Sequence, residues 1–249
     1  MRLVAPLTLF AVCSCVAASK RGLGWYDEQA NALLTTSHSP ISWIYNWSPT
    51  APKTKKKVEF VAMQWGSAGI DNLDKEIPKG TKYLLAFNEP DGSSQSNLTP
   101  QQAAALWPKL EAMAKKHNLK LSSPATIQRD YTWMDEFFKA CRHCKVDFIT
   151  QHWYGTSIDD FKSMIRTTHS KYKRPIWVTE FAMIQSSPSA TLSFLKTAMA
   201  FLDSVSYVER YAWFGLVLNN GGFVGNNAGL VTEAGKLTEL GKAYVYYRN

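Results

Sequence analysis

Short apolar runs alternate with longer helix-like stretches along this chain, and that alternation limits the fold more than any other feature. The strand candidates cover residues 22–25, 41–45, 58–64, 83–87, 120–123, 146–151, 175–179 and 209–213. Several are continuously apolar, as strands covered on both faces of a parallel sheet must be. Helical patterns lie between them at 27–34, 99–117, 131–140, 158–170 and 190–205, with a last one at 237–247. Thr99-Pro-Gln-Gln places an N-cap, a first-turn proline and a glutamine where a capping box needs it. Pro108 marks an expected irregularity inside that helix. Eight strands alternating with helices, undivided by any linker or composition shift, predict one α/β domain with the (β/α)8 TIM-barrel architecture. The Pro- and Lys-rich span 48–57 and the brief stretch 71–76 leave little room for regular helices. The helices after strands two and three should therefore be short or incomplete.

Residues 1–18 read as a secretory signal peptide: Arg2, an apolar stretch at 3–12, and the small residues of Val16-Ala17-Ala18. Its apolar core is too short to cross a bilayer, and no later run reaches membrane-helix length. Residues 19–249 are then a single secreted domain, extracellular or in the cell wall, expected to act as a monomer. Cys13 and Cys15 leave with the leader, so Cys141 and Cys144 remain, spaced C-x-x-C. Without a second pair, and with only His143 nearby, they do not complete a zinc site and read better as a structural disulfide. No metal and no cofactor is expected. Net charge is +8, with its densest cluster at Lys53, Lys55, Lys56 and Lys57. That cluster reads as a solvated loop. No basic helix or recognition motif accompanies the charge, so nucleic acid is not an expected partner. Asn97-Leu98-Thr99 is a glycosylation sequon in a polar loop. Asn46-Trp47-Ser48 matches too, but it lies at a strand end before Pro49 and is expected to stay unmodified.

The run 83–87 ends abruptly on Asn88-Glu89-Pro90. Proline cannot donate to a sheet ladder, so the strand stops at about Glu89. The run 175–179 delivers Glu180 in the same way. Both carboxylates then sit at C-terminal strand tips, where barrels hold their ligands. One glutamate in that setting serves equally well as a helix cap or a loop tie. Two of them point to the paired carboxylates of glycoside hydrolysis. Trp25, Tyr26, Tyr45, Asn46, Trp47, Gln64, Trp65, Asn88, His152, Trp153, Tyr154, Trp213 and Phe214 follow their strands onto the same face. Aromatic faces beside amides and carboxylates suit pyranose rings, although each tryptophan taken singly reads as packing. Trp43 and Trp177 fall inside strands and read as core. His152 and Tyr154 are placed to orient Glu180 by hydrogen bonds. Gly221-Gly222 offers a weak phosphate cradle, since no Lys or Arg lies in the loop 219–229.

Leu85-Ala-Phe-Asn-Glu-Pro-Asp, His152-Trp-Tyr and Trp177-Val-Thr-Glu-Phe-Ala resemble the fungal glycosyl hydrolase catalytic core of the alkali-sensitive linkage protein type, glycoside hydrolase family 128. The likeness spans nearly all of the chain after the leader. It implies a (β/α)8 barrel and retaining hydrolysis of β-1,3-glucan, with a glucan oligosaccharide or polysaccharide as partner. Motif matching gives Glu89 the acid/base position, Glu180 the nucleophile position and Asn88 the bond to a sugar 2-hydroxyl. Retaining chemistry requires the two carboxyl groups about 5–5.5 Å apart. Two other readings stay open: a non-catalytic β-glucan-binding wall protein, and a β-1,4-glucanase or mannanase on the same barrel.

Overall fold

The computed structural model describes residues 19–25, 27–217 and 222–248. The expected leader, Tyr26 and Gly221 lie outside the described residues. Among the described residues nine strands follow in order: β1 (Arg21–Gly24), β2 (Trp43–Tyr45), β3 (Glu59–Phe60), β4 (Ala62–Met63), β5 (Tyr83–Leu85), β6 (Lys120–Leu121), β7 (Ile149–Gly155), β8 (Ile176–Met183) and β9 (Val208–Trp213). They form a six-stranded sheet in the order β3-β2-β1-β9-β8-β7 and a three-stranded sheet in the order β4-β5-β6. All strand pairs are parallel.

The two sheets are one barrel. β3 and β4 are halves of the expected third strand, interrupted at Val61, whose N–H donates to Ile44. β3 pairs with β2 on one side of this break, and β4 with β5 on the other. Between β6 and β7 the seam is held by Asp147 N–H to Leu121 O at 2.7 Å and Ser123 N–H to Phe148 O at 2.8 Å. β1 pairing with β9 closes the ring.

Among the described residues seven α-helices form the outer layer: α1 (Asn31–Thr35), α2 (Leu73–Glu76), α3 (Pro100–His117), α4 (Thr132–Ala140), α5 (Ile158–Tyr172), α6 (Pro188–Ser204) and α7 (Glu239–Tyr246). The expected helix at 27–34 is cut to a 3-10 turn followed by α1. No helix joins β2 to β3, and α2 is a single turn, as the sequence predicts. The exposed lysine loop occupies the vacant place between β2 and β3, pinned where Lys55 N–H donates to Asn31 Oδ1. Thr99 and Gln102 form the capping box of α3. The helix runs on through Pro108 without interruption, held by buried Trp107 and Leu110 on either side. Among the described residues no helix is long and apolar enough to cross a membrane.

Apolar side chains separate into three clusters. Trp43, Tyr45, Val61, Met63, Leu85, Phe148, Trp177 and Ala212 fill the barrel interior. Below them the Arg210 guanidinium lies 4.4 Å from the Trp177 ring and 4.5 Å from the Tyr83 ring, and pairs with Glu59 at 2.7 Å. Two larger clusters lie between the strands and the helices, one under α5, α6 and α7 and one under α3 and α4. Cys141 and Cys144 form a disulfide with a Cα–Cα distance of 5.1 Å. It lies in the turn leading into β7, at the N-terminal end of the barrel and away from the strand tips.

Candidate active site

The C-terminal strand ends open on a cleft of about 1120 Å³. Glu180 reaches it through an irregularity in β8. Val178 packs outward with the helices while Trp177 points into the barrel. Strict alternation would send Thr179 inward and Glu180 outward to the helix layer. Instead Gln151 pairs with Val178 and the next residue, His152, pairs with Glu180, so Thr179 is one residue too many. The pairing with β9 skips in the same stretch, between Val178 and Phe181. Such a bulge re-aims the side chains that follow it. Glu180 turns into the cleft, and Phe181 returns to the outer core.

Donors without formal charge converge on Glu180, which is only 4 % exposed. Trp47 Nε1–H donates to Oε1 at 2.7 Å. Tyr45 O–H lies 3.3 Å from the same oxygen and 3.0 Å from the Thr179 carbonyl. Tyr154 O–H donates to Oε2. Burial, then the adjacent Glu180 charge, pushes the Tyr154 phenol well above its ordinary value, so it remains a donor.

Glu89 is held differently. Its N–H donates to Ala125 O at 2.7 Å, and Asn88 forms a bridge to Ala125, so the chain past β5 is tied to the chain past β6. Glu89 adopts φ +43°, a left-handed conformation sparsely used by residues with a side chain. Strain of this kind gathers at functional sites. His152 joins the two carboxylates: Nδ1 lies 2.7 Å from Glu89 Oε1 and 3.5 Å from Glu180 Oε2, and Nε2 bonds Thr179 Oγ1 at 3.0 Å. One ligand atom each from Glu89, His152 and Glu180 lie within 4.8 Å of one another. This is the one group among the described residues that could hold a metal ion. The facing oxygens of Glu89 and Glu180 are thus nearer than the roughly 6.5–9.5 Å that separates an inverting pair of carboxyl groups.

The structure brings most of the sequence-expected residues together. Trp25, Trp47, Trp65, Asn88, Glu89, His152, Tyr154 and Glu180 line the cleft, and Tyr45 reaches Glu180 from beneath. Three expectations are corrected. Gln64 is buried, and its amide donates to the carbonyls of Gly66 and Ala68, so it folds the turn after β4. Trp153 points outward from β7, stacks on Phe194 and donates to Asp160. Trp213 packs edge-on against Phe181 and donates to Ala228 O, leaving its neighbour Phe214 at the cleft. Residues 152–154 and Glu180 also lie within β7 and β8, which run longer than expected, and not in the loops beyond them.

Ile127, Arg129, Gln95 and Phe223 line the cleft as well, unannounced because loop residues carry no periodic signal. Asp91 is the clue that was in reach. Its carboxylate accepts N–H groups of Ile127 at 3.0 Å and Gln128 at 2.7 Å, which draws the loop after β6 over the cleft. Burial pushes that carboxyl upward, against the backbone donors that lower it. Asn97 is exposed before α3. Asn46 lines the cleft, and its amide donates to Thr50 O. Asn88 Oδ1 is buried without a partner.

A family model described as a glycosyl hydrolase catalytic core matches residues 22–244. Alkali-sensitive linkage protein 1 of Schizosaccharomyces pombe (strain 972 / ATCC 24843) is 33% identical over 241 residues. That match covers 92% of this chain and 44% of the relative, so the chain spans less than half the length of that protein. A family 128, subgroup II endo-beta-1,3-glucanase from Sorangium cellulosum superposes with a TM-score of 0.79 at 32% identity, covering 92% of this chain and 99% of the other. A subgroup III curdlan-specific exo-beta-1,3-glucanase from Blastomyces gilchristii, in complex with glucose, gives 0.78 at 36% identity, with 93% and 99% covered. A variant of a subgroup I endo-beta-1,3-glucanase from Amycolatopsis mediterranei, in complex with laminarihexaose, gives 0.79 at 29% identity, with 91% and 98% covered.

Proposed function

The chain belongs to the glycosyl hydrolase catalytic core family, and on that premise we propose that it is a secreted, retaining β-1,3-glucanase acting as a monomer. The observation that carries the reading is the approach of Glu89 and Glu180 within 4.8 Å, on either side of His152, in the cleft. Glu180 attacks the anomeric carbon, forming a carboxylate–carbon bond as the glycosidic carbon–oxygen bond breaks. Glu89 gives its proton to the departing oxygen. It then takes a proton from water, which displaces Glu180 and releases the sugar with its configuration retained. Asn88 lines the cleft beside Glu89 and takes the bond to a sugar 2-hydroxyl. Trp25, Trp47 and Trp65 present rings to the sugar faces. The apolar leader and the disulfide fit an oxidising compartment outside the cytosol, where Asn97 is available to a glycan.

Aryl glycosides and azide test the assignment. A good leaving group needs little protonation, so Glu89→Ala should still form the glycosyl-enzyme and then stall. Added azide should restore turnover and yield the β-glycosyl azide. Glu180→Ala cannot form the intermediate, and azide entering the vacated side should give the α-azide. Swapped configurations would reverse the two roles. Incubation with β-1,3-glucan, cellulose and mannan, with and without EDTA, separates the other readings. Products from cellulose or mannan alone would favour the β-1,4 enzymes, binding without products the wall-binding protein, and loss of activity in EDTA a metal at the triad.

A further inference from the structure

Trp47 is more than a wall of the cleft. A sugar platform needs the face of an indole, and nothing in that task requires its N–H to meet a carboxylate. Here Nε1–H donates to Glu180 Oε1 at 2.7 Å, the short geometry of a charge-assisted bond. Tyr45 O–H is a weaker partner of that oxygen, at 3.3 Å, with the Thr179 carbonyl closer at 3.0 Å. Among the described residues no Lys or Arg pairs with Glu180; Trp47, Tyr45 and Tyr154 donate to it, and His152 Nδ1 stands farther off at 3.5 Å.

The chain is built around this contact. Two residues past β2, Trp47 turns back with φ +56°. Its ring sits 4.8 Å from the Tyr45 ring and edge-on to Phe214 at 6.1 Å. On β1 the residue facing it is Gly24, where a Cβ would lie 2.6 Å from Trp47 Cη2. The glycine makes room for the indole to lie where its N–H reaches Glu180.

The geometry points to Trp47 as a positioning residue that fixes the rotation of the Glu180 carboxylate for attack, an inference that rests on Glu180 being the nucleophile. With Oε1 held from the β2 side by Trp47 and Oε2 taking the Tyr154 hydroxyl, the carboxylate plane is held at both oxygens, with His152 3.5 Å from Oε2 and Glu89 beyond it. A carboxylate free to rotate would spend much of its time out of line with that carbon.

Trp47→Phe keeps an aromatic face and removes the N–H. Its kcat on laminari-oligosaccharides should fall about ten- to a hundred-fold, the worth of a hydrogen bond to a charged group, with KM within about twofold. The rate of covalent labelling by a 2-deoxy-2-fluoro-β-glucosyl fluoride should fall by a similar factor. Gly24→Ala, which touches no substrate, should displace the indole and lower both rates in the same direction. That variant carries the test if Trp47→Phe does not fold. A raised KM with unchanged kcat would make Trp47 a platform only, and unchanged labelling rates in both variants would overturn its positioning role while leaving Glu180 the nucleophile. Failure of the wild-type protein to take the label on Glu180 would overturn the nucleophile assignment, and this inference with it.

Discussion

His152 is buried between two carboxylates and holds its proton to higher pH than a free imidazole. Burial works against the charged ring, but attraction to Glu180 and the hydrogen bond and charge of Glu89 outweigh it. The folded protein therefore keeps this proton over a range where the unfolded chain, titrating at about 6.5, has lost it. The stabilisation is fully present below that ordinary value and disappears as pH rises through the folded one. Urea denaturation of wild type and His152→Gln from pH 6 to pH 9 should show the wild-type advantage shrinking as pH rises. An advantage that grows with pH would mean that the buried ring is neutral.

Thr179 is the extra residue of the β8 bulge, and its hydroxyl and carbonyl both serve the site. Its hydroxyl bonds His152, and its carbonyl accepts from Tyr45 O–H, which also reaches Glu180. Thr179→Val keeps the shape and leaves a buried imidazole nitrogen without its partner. The cost should be about 1–3 kcal/mol in urea denaturation, with a lower kcat because His152 no longer orients Glu89. Thr179→Ser restores the hydroxyl and should recover both. Full activity in Thr179→Val would separate the bulge's geometry from its hydrogen bond.

At the scale of the molecule, the barrel is closed by its first described residues. Arg21 is 3 % exposed and bonds Asp203 at 3.1 Å, Tyr211 Oη at 2.9 Å and Tyr244 O at 3.0 Å. Lys20 Nζ donates to the carbonyls of Leu202, Asp203 and Val205 at the end of α6. β1 is thereby fastened to β9, α6 and α7 at the end opposite the cleft. Arg21→Met should cost roughly 3 kcal/mol, since it strands an acidic partner and two polar groups. The denaturation midpoint should drop, with kcat per folded molecule unchanged. A fall in kcat at full stability would contradict a purely structural closure.

The alternating pattern alone determined the barrel, because runs such as 83–87 bury both faces and Pro90 ends its strand through local chemistry. It also placed Glu89 and Glu180 near strand tips, and it marked Trp43 and Trp177 as interior. Which way a side chain points near those tips was decided by strand register. Gln64, Trp153 and Trp213 left the cleft, and Glu180 entered it, because of how β4, β7, β8 and β9 pair with their neighbours. A bulge of one residue reverses the facing of everything after it. Thr179 carries no mark of that bulge in the sequence. Its extra place exists only against Gln151 and His152 on one side and Tyr211 and Trp213 on the other, partners brought beside it by the closed barrel.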